Sequence, residues 1–241
     1  MADTIAHRAS TRNALLLALA VAAGYIDALS YLGLGRVFTA NMTGNTVLLA
    51  IAIAHFDADA AARSGLALAG FVAGVGAGAW IVQRDHSGSL WPRSVMVALT
   101  LEWIVLVAFA IVWNVAGVAL TAWSTALLIA LSAFAMGTQS AAIHRLEVSG
   151  VATTYITGTL THLTAHLMGW AQRKGAPVFR YSALLAAVWI VYLGGAAAAT
   201  VLLPFPLIAL SLPAALILLV IVIASTAFHA DKNYLAHSRD R

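Results

Sequence analysis

The chain has 241 residues, of which 62% are hydrophobic and 9% charged, and its mean hydropathy is +0.91. A soluble domain carries about a quarter charged residues, so the composition excludes a soluble globule and describes an integral membrane protein. The net charge of +4 sits in short breaks and tails, where it orients a membrane protein rather than marking a nucleic-acid binder, and the lack of cysteine excludes disulfides and Cys-ligated metals.

The first apolar segment, 14–34, follows a basic start that resembles a leader, "MADTIAHRASTRNALLLALAVAAG". The apolar run continues past Gly24 to about Leu34, too far for a cleaved leader, so an uncleaved first span is expected. Asp27 lies within it, on one helical face with Ala20, Gly24 and Tyr31. The second segment, 37–55, opens with polar text, "VFTANMTGN". Val37, Phe38 and Thr39 favour extended backbone, Gly44 can break a helix, and Thr43 or Asn45 can cap one continuing through "VLLAIAIA". Such a helix covers about 15 Å, half a bilayer, with its free N–H groups near the midplane.

Segment 64–82 carries Gly70, Gly74 and Gly78 at four-residue spacing, the signature of close helix packing. Segment 94–113 holds Glu102, the second acid inside an apolar run. Segment 119–143 ends near Gln139, and segment 151–170 repeats the polar text as "GVATTYITGTLTHLTAHL". His162 and His166 lie four apart there, a spacing that can ligate zinc, but "HLTAH" lacks a catalytic Glu and Asp27 is the only obvious third ligand. Segments 181–203 and 206–228 and a polar tail, 229–241, complete the chain.

The polar segments belong to two copies of one pattern. Gly24 matches Gly137 at an offset of 113, and Thr43-Gly44 matches Thr157-Gly158 at 114, with Asp27 falling on Ser140. The expected fold is therefore an all-α integral membrane protein with eight hydrophobic segments in two repeated halves, about 14–113 and 119–228. Segments 37–55 and 151–170 are expected to be broken or re-entrant. The pairing of "GYIDALSYL…VFTANMTGN" with "GTQSAAIHR…ATTYITGTLTHL" resembles the YoaK-like bacterial membrane proteins, a family of unknown function, over nearly the whole chain. The resemblance implies a multi-span inner-membrane protein of transporter type and supplies no substrate. Where that family often has Gln-Asn, this chain has Gln139-Ser140.

Counts of Lys and Arg separate two topologies. Eight full crossings place 9 basic residues on the N-terminal side and 4 opposite, whereas six crossings with re-entrant Thr-Gly segments place 11 and 2. The second arrangement obeys the positive-inside tendency better and makes the repeats inverted, with both termini cytoplasmic. Repeated, interrupted segments point to a transporter's binding site. The expected function is a non-enzymatic permease in the bacterial inner membrane, moving a small polar solute or ion. Its substrate-binding residues are expected to be Asp27, Tyr31, Asn41, Thr43, Gly44, Asn45, Gln139, Thr157, Gly158 and Thr159. Proton or cation coupling is expected at Asp27 and Glu102, because an intramembrane carboxyl is costly unless it is neutralised, paired or wet. No cofactor, metal or nucleic acid is expected. The alternatives are a passive channel, an intramembrane metalloenzyme and a membrane scaffold, and a homodimer stays open.

Overall fold

Backbone amides at membrane depth must be bonded within the chain, and long Ala- and Leu-rich runs meet that demand as helices. The computed structural model describes residues 2–85, 87–117, 119–146, 156–172 and 176–229. Its helices are α1 (Ala2–Gly33), α2 (Met42–Ala54), α3 (Ala58–Val82), α4 (Arg93–Ala116), α5 (Ala122–Arg145), α6 (Ile156–Gln172), α7 (Ala176–Leu202) and α8 (Pro206–His229). Six of them, α1, α3, α4, α5, α7 and α8, are long and apolar enough to cross a membrane. The chain is thus an all-α multi-pass membrane protein. Helix α1 starts a dozen residues before the apolar run, because residues 2–13 contain no Gly or Pro to stop it.

Segment 37–55 is broken, as its polar text suggests. Residues 34–41 are not helical, and both Gly35 and Arg36 have positive φ, 85° and 63°. Helix α2 then runs for 13 residues, roughly 20 Å. The cap differs from expectation. Asn41, not Thr43 or Asn45, is the N-cap, its side chain accepting from the Gly44 N–H at 3.3 Å. Gly44 is itself helical, so the break falls at Gly35 and Arg36 instead. What Gly44 provides is room, since a Cβ there would lie 2.9 Å from the Phe38 ring. For segment 151–170, residues 151–155 lie outside the described residues, and the helix begins at Ile156.

Contacts at the helix ends fix how α2 travels. A Cβ on Gly33 would lie 2.5 Å from the Trp113 ring near the end of α4, and one on Gly35 would lie 2.8 Å from Arg63 Nε near the start of α3. The ends of α1 and α4 and the start of α3 therefore share one face of the protein. At the opposite face, Arg145 at the end of α5 donates to the carbonyls of Asp85 (2.9 Å) and Ser87 (3.1 Å) in the α3–α4 connection. Since α1 ends and α3 begins on the same face, the intervening α2 is re-entrant.

The helices pack as two groups. Helix α1 lies against α7 and α8, with α6 on α7; α5 lies against α3 and α4, with α2 on α3. The groups meet where α4 packs on α8 and α1 touches α5. Glycine sets the closest approaches: a Cβ on Gly24 would fall 2.1 Å from the Tyr192 carbonyl oxygen, and one on Gly195 2.2 Å from that of Val21. In the other group a Cβ on Gly74 would fall 2.1 Å from the Phe134 carbonyl oxygen, and one on Gly137 2.2 Å from that of Phe71. Gly70, Gly74 and Gly78 all face α5, so their spacing serves packing within the subunit.

Candidate functional site

Asp27 organises the interrupted segment. It lies six residues before the end of α1, roughly 9 Å into the protein from that face. Gly24, one turn earlier, lets the α7 backbone approach, and this brings Tyr192 to the carboxyl. Asp27 Oδ1 accepts the backbone N–H groups of Thr39 (2.8 Å), Ala40 (2.6 Å) and Asn41 (3.3 Å). Tyr192 Oη donates to Oδ2. Three successive N–H groups with no helical partner thus converge on one buried carboxyl, which is 3% exposed. Successive N–H groups converging from a turn in this way, just ahead of α2, form the kind of backbone concavity that binds anions.

The rest of the turn is held the same way. Asn45 is fully buried; its Oδ1 accepts from the Phe38 N–H at 2.9 Å while its Nδ2 donates to the Phe38 carbonyl at 2.5 Å. Ser30 and Thr39 share a buried hydroxyl hydrogen bond of 3.1 Å. Tyr31 stacks on Phe38, ring centroids 5.0 Å apart, at the exposed edge of the turn. Thr43 points outward from the first turn of α2 and is exposed, while Asn41 and Gly44 are partly exposed beside it.

The expected site residues therefore separate. Asp27, Asn41, Gly44, Asn45 and Tyr31 are gathered around one turn, with Thr43 on its open side. Gln139 lies elsewhere: its Nε2 donates to the Leu19 carbonyl at 3.2 Å, eight residues or roughly 12 Å along α1 from Asp27. Thr157, Gly158 and Thr159 occupy the first turn of α6, which packs on α7 rather than on α3, and of these Thr159 is buried. Glu102 is buried on α4, and among the described residues neither of its oxygens has a hydrogen-bond partner. His162 is exposed, and among the described residues no group of three acidic, His or Cys side chains could hold a metal ion.

The residue that sequence reasoning missed is Tyr192. A tyrosine hydroxyl inside an apolar span needs a partner, and Tyr192 sits in such a span just before Gly194-Gly195. That signal is present, but nothing in the linear text ties it to Asp27, 165 residues away.

Residues 15–224 match the model of a family described as a protein of unknown function, DUF1275. The chain is also 36% identical over 190 residues to the UPF0700 transmembrane protein YoaK of Bacillus subtilis, spanning 78% of this chain and 82% of that one. No solved structure matches.

Proposed function

The chain belongs to the DUF1275 family of proteins of unknown function, and from that premise we propose that it is a permease for a small polar solute. The observation that carries this reading is the turn at 37–41, held inside the protein by Asp27 with α2 returning to the face it came from. Non-helical backbone at membrane depth is kept only where it is buried in protein or lines a wet cavity. Here the Asp27 side of the turn is buried, and the Thr43 side is open. Thr43, with Asn41 and Tyr31 beside it, is the solute-contacting edge; Asp27, Asn45 and Tyr192 hold that edge in place. Thr157 and Thr159 on α6, which packs on α7, form the corresponding element of the other helix group.

Matched contacts support a two-repeat architecture. Gly24–Tyr192 and Gly195–Val21 correspond to Gly137–Phe71 and Gly74–Phe134 at constant offsets of 113 for α1 with α5 and 121 for α7 with α3. Because α3 starts where α1 ends, and Gly70 and Gly78 meet successively later residues of α5, α5 runs opposite to α1. That is the relation of inverted repeats, which lets one helix group rock against the other. Arg36 and Arg63 lie at the first face, whereas Arg8, Arg12, Arg84, Arg93 and Arg145 lie at the opposite one. The positive-inside tendency then makes the second face, with the N-terminus, cytoplasmic in the bacterial inner membrane.

The test is a thermal-stabilisation screen of the purified protein against small polar solutes, followed by uptake of each hit into vesicles. A stabilising solute whose effect is lost in Thr43→Val is the expected outcome. No stabilising solute, or one indifferent to Thr43→Val and Thr157→Val, overturns the assignment. Uptake that equilibrates under an imposed proton gradient and never exceeds the outside level identifies a channel instead.

A further inference from the structure

The two intramembrane acids are in opposite situations. Both Asp27 oxygens are engaged, Oδ1 by three backbone N–H groups and Oδ2 by Tyr192. Glu102 is equally buried, yet among the described residues no donor reaches either of its oxygens. An unpaired carboxylate in an apolar core is far too costly to persist unneutralised. Among the described residues nothing offsets that cost, so Glu102 must be neutralised by something it binds.

Its surroundings decide what that is. Glu102 lies on the buried face of α4 with Ala98, Leu99 and Leu106, and α4 packs against α3, α5 and α8. Helix α8 has no ionisable side chain from Pro206 to Phe228, and α5 has none from Ala122 to Ile143. The charged residues of α3, Asp59 and Arg63, are in its first two turns at the first face. Glu102 is eleven residues, roughly 16 Å, below Trp113, which itself marks that face. On α1, Tyr25 is at similar depth, about 12 Å below Gly33, and its buried hydroxyl is also without a partner among the described residues. A metal cation of the hard class requires several oxygen ligands. Glu102 offers two, and intact helices commit their carbonyls internally. A proton needs only one.

We propose that Glu102 is the protein's proton-binding group, seated in the core of α4 beside the junction of the two helix groups, and that Asp27 is a positioning residue. The step is simple: a carboxylate oxygen takes up one proton to give the neutral acid, and releases it when the junction opens to water. This goes beyond the permease reading, because it concerns proton binding whether or not a solute moves.

The experiment uses the full chain in lipid vesicles and dicyclohexylcarbodiimide, which modifies protonated carboxyls in apolar surroundings, with the adduct located by mass spectrometry. The expected result is modification at Glu102, suppressed as pH is raised, with Asp27 unmodified. In parallel, infrared spectra followed with pH are expected to show a protonated-carboxyl band that persists in Asp27→Asn and vanishes in Glu102→Gln. Modification at Asp27 alone or at neither acid, or a band unchanged by Glu102→Gln, overturns the proposal. The labelling arm needs no variant to fold. Neither arm measures transport, so a failed solute screen leaves this result standing, and the reverse holds as well.

Discussion

If the turn at 39–41 hangs on Asp27, substitutions there should follow an order set by hydrogen-bond supply. Removing one donor with Tyr192→Phe costs the bond to a buried carboxyl, about 1.5–3 kcal/mol. Asp27→Asn keeps the shape: its oxygen can still accept from Thr39, Ala40 and Asn41, and its amide can donate to Tyr192. Each bond loses its charge assistance, and because three share one acceptor the losses do not sum, giving about 2–3 kcal/mol. Asp27→Leu, similar in size, leaves the N–H groups of Thr39 and Ala40 and the Tyr192 hydroxyl without acceptors. At about 1–3 kcal/mol for each orphaned group, the loss should reach about 4 kcal/mol or more. The readouts are thermal unfolding of the purified protein and labelling of a reporter cysteine at Ala40, which is 1% exposed in a chain with no native cysteine. The reporter should stay protected in Asp27→Asn and react rapidly in Asp27→Leu. If Asp27→Leu matches the wild type in both readouts, Asp27 does not hold the turn.

Within α3, Gly74→Ala should destabilise by about 1–3 kcal/mol because its Cβ would strike the α5 backbone, whereas Gly76→Ala, with nothing within 4 Å, should be neutral or stabilising in the same melts; equal effects would refute the packing. A single cysteine at Asp59 should react with an impermeant outside reagent while one at Gly88 should not, and the opposite pattern would invert the orientation. The Asp85 carboxyl is held well below the usual carboxylate range, first by its hydrogen bonds to Ser87 and then by those to Ser94. Its folded value is depressed, so its stabilisation is complete above the ordinary value of about 3.9 and fades as pH falls below it. The melting-temperature difference between wild type and Asp85→Asn should therefore be constant near neutrality and shrink in acid; a difference that grows in acid would refute the stabilising role of these hydrogen bonds.

Sequence alone determined that this is a helical membrane protein and where the helices run, because continuous apolar text has few ways to satisfy its backbone in lipid. It also marked the 37–55 interruption and the depth of Asp27, since polar residues and Gly in such a setting are costly without a purpose. It misplaced the helix cap within that interruption, because Asn41, Thr43 and Asn45 can all cap, and only the path of the preceding turn selects among them. What the tertiary structure decided is which helices meet. Each half gives up its first helix, α1 to α7 and α8 and α5 to α3 and α4, so the packed groups are not the sequence halves. That exchange brings Tyr192 onto Asp27, turns the glycines toward backbone carbonyls, and leaves Glu102 without a donor among the described residues. Helix propensity and hydropathy are local quantities, summed along one segment. Partner choice depends on complementary surfaces far apart in the chain, where a glycine and a facing carbonyl have meaning only together.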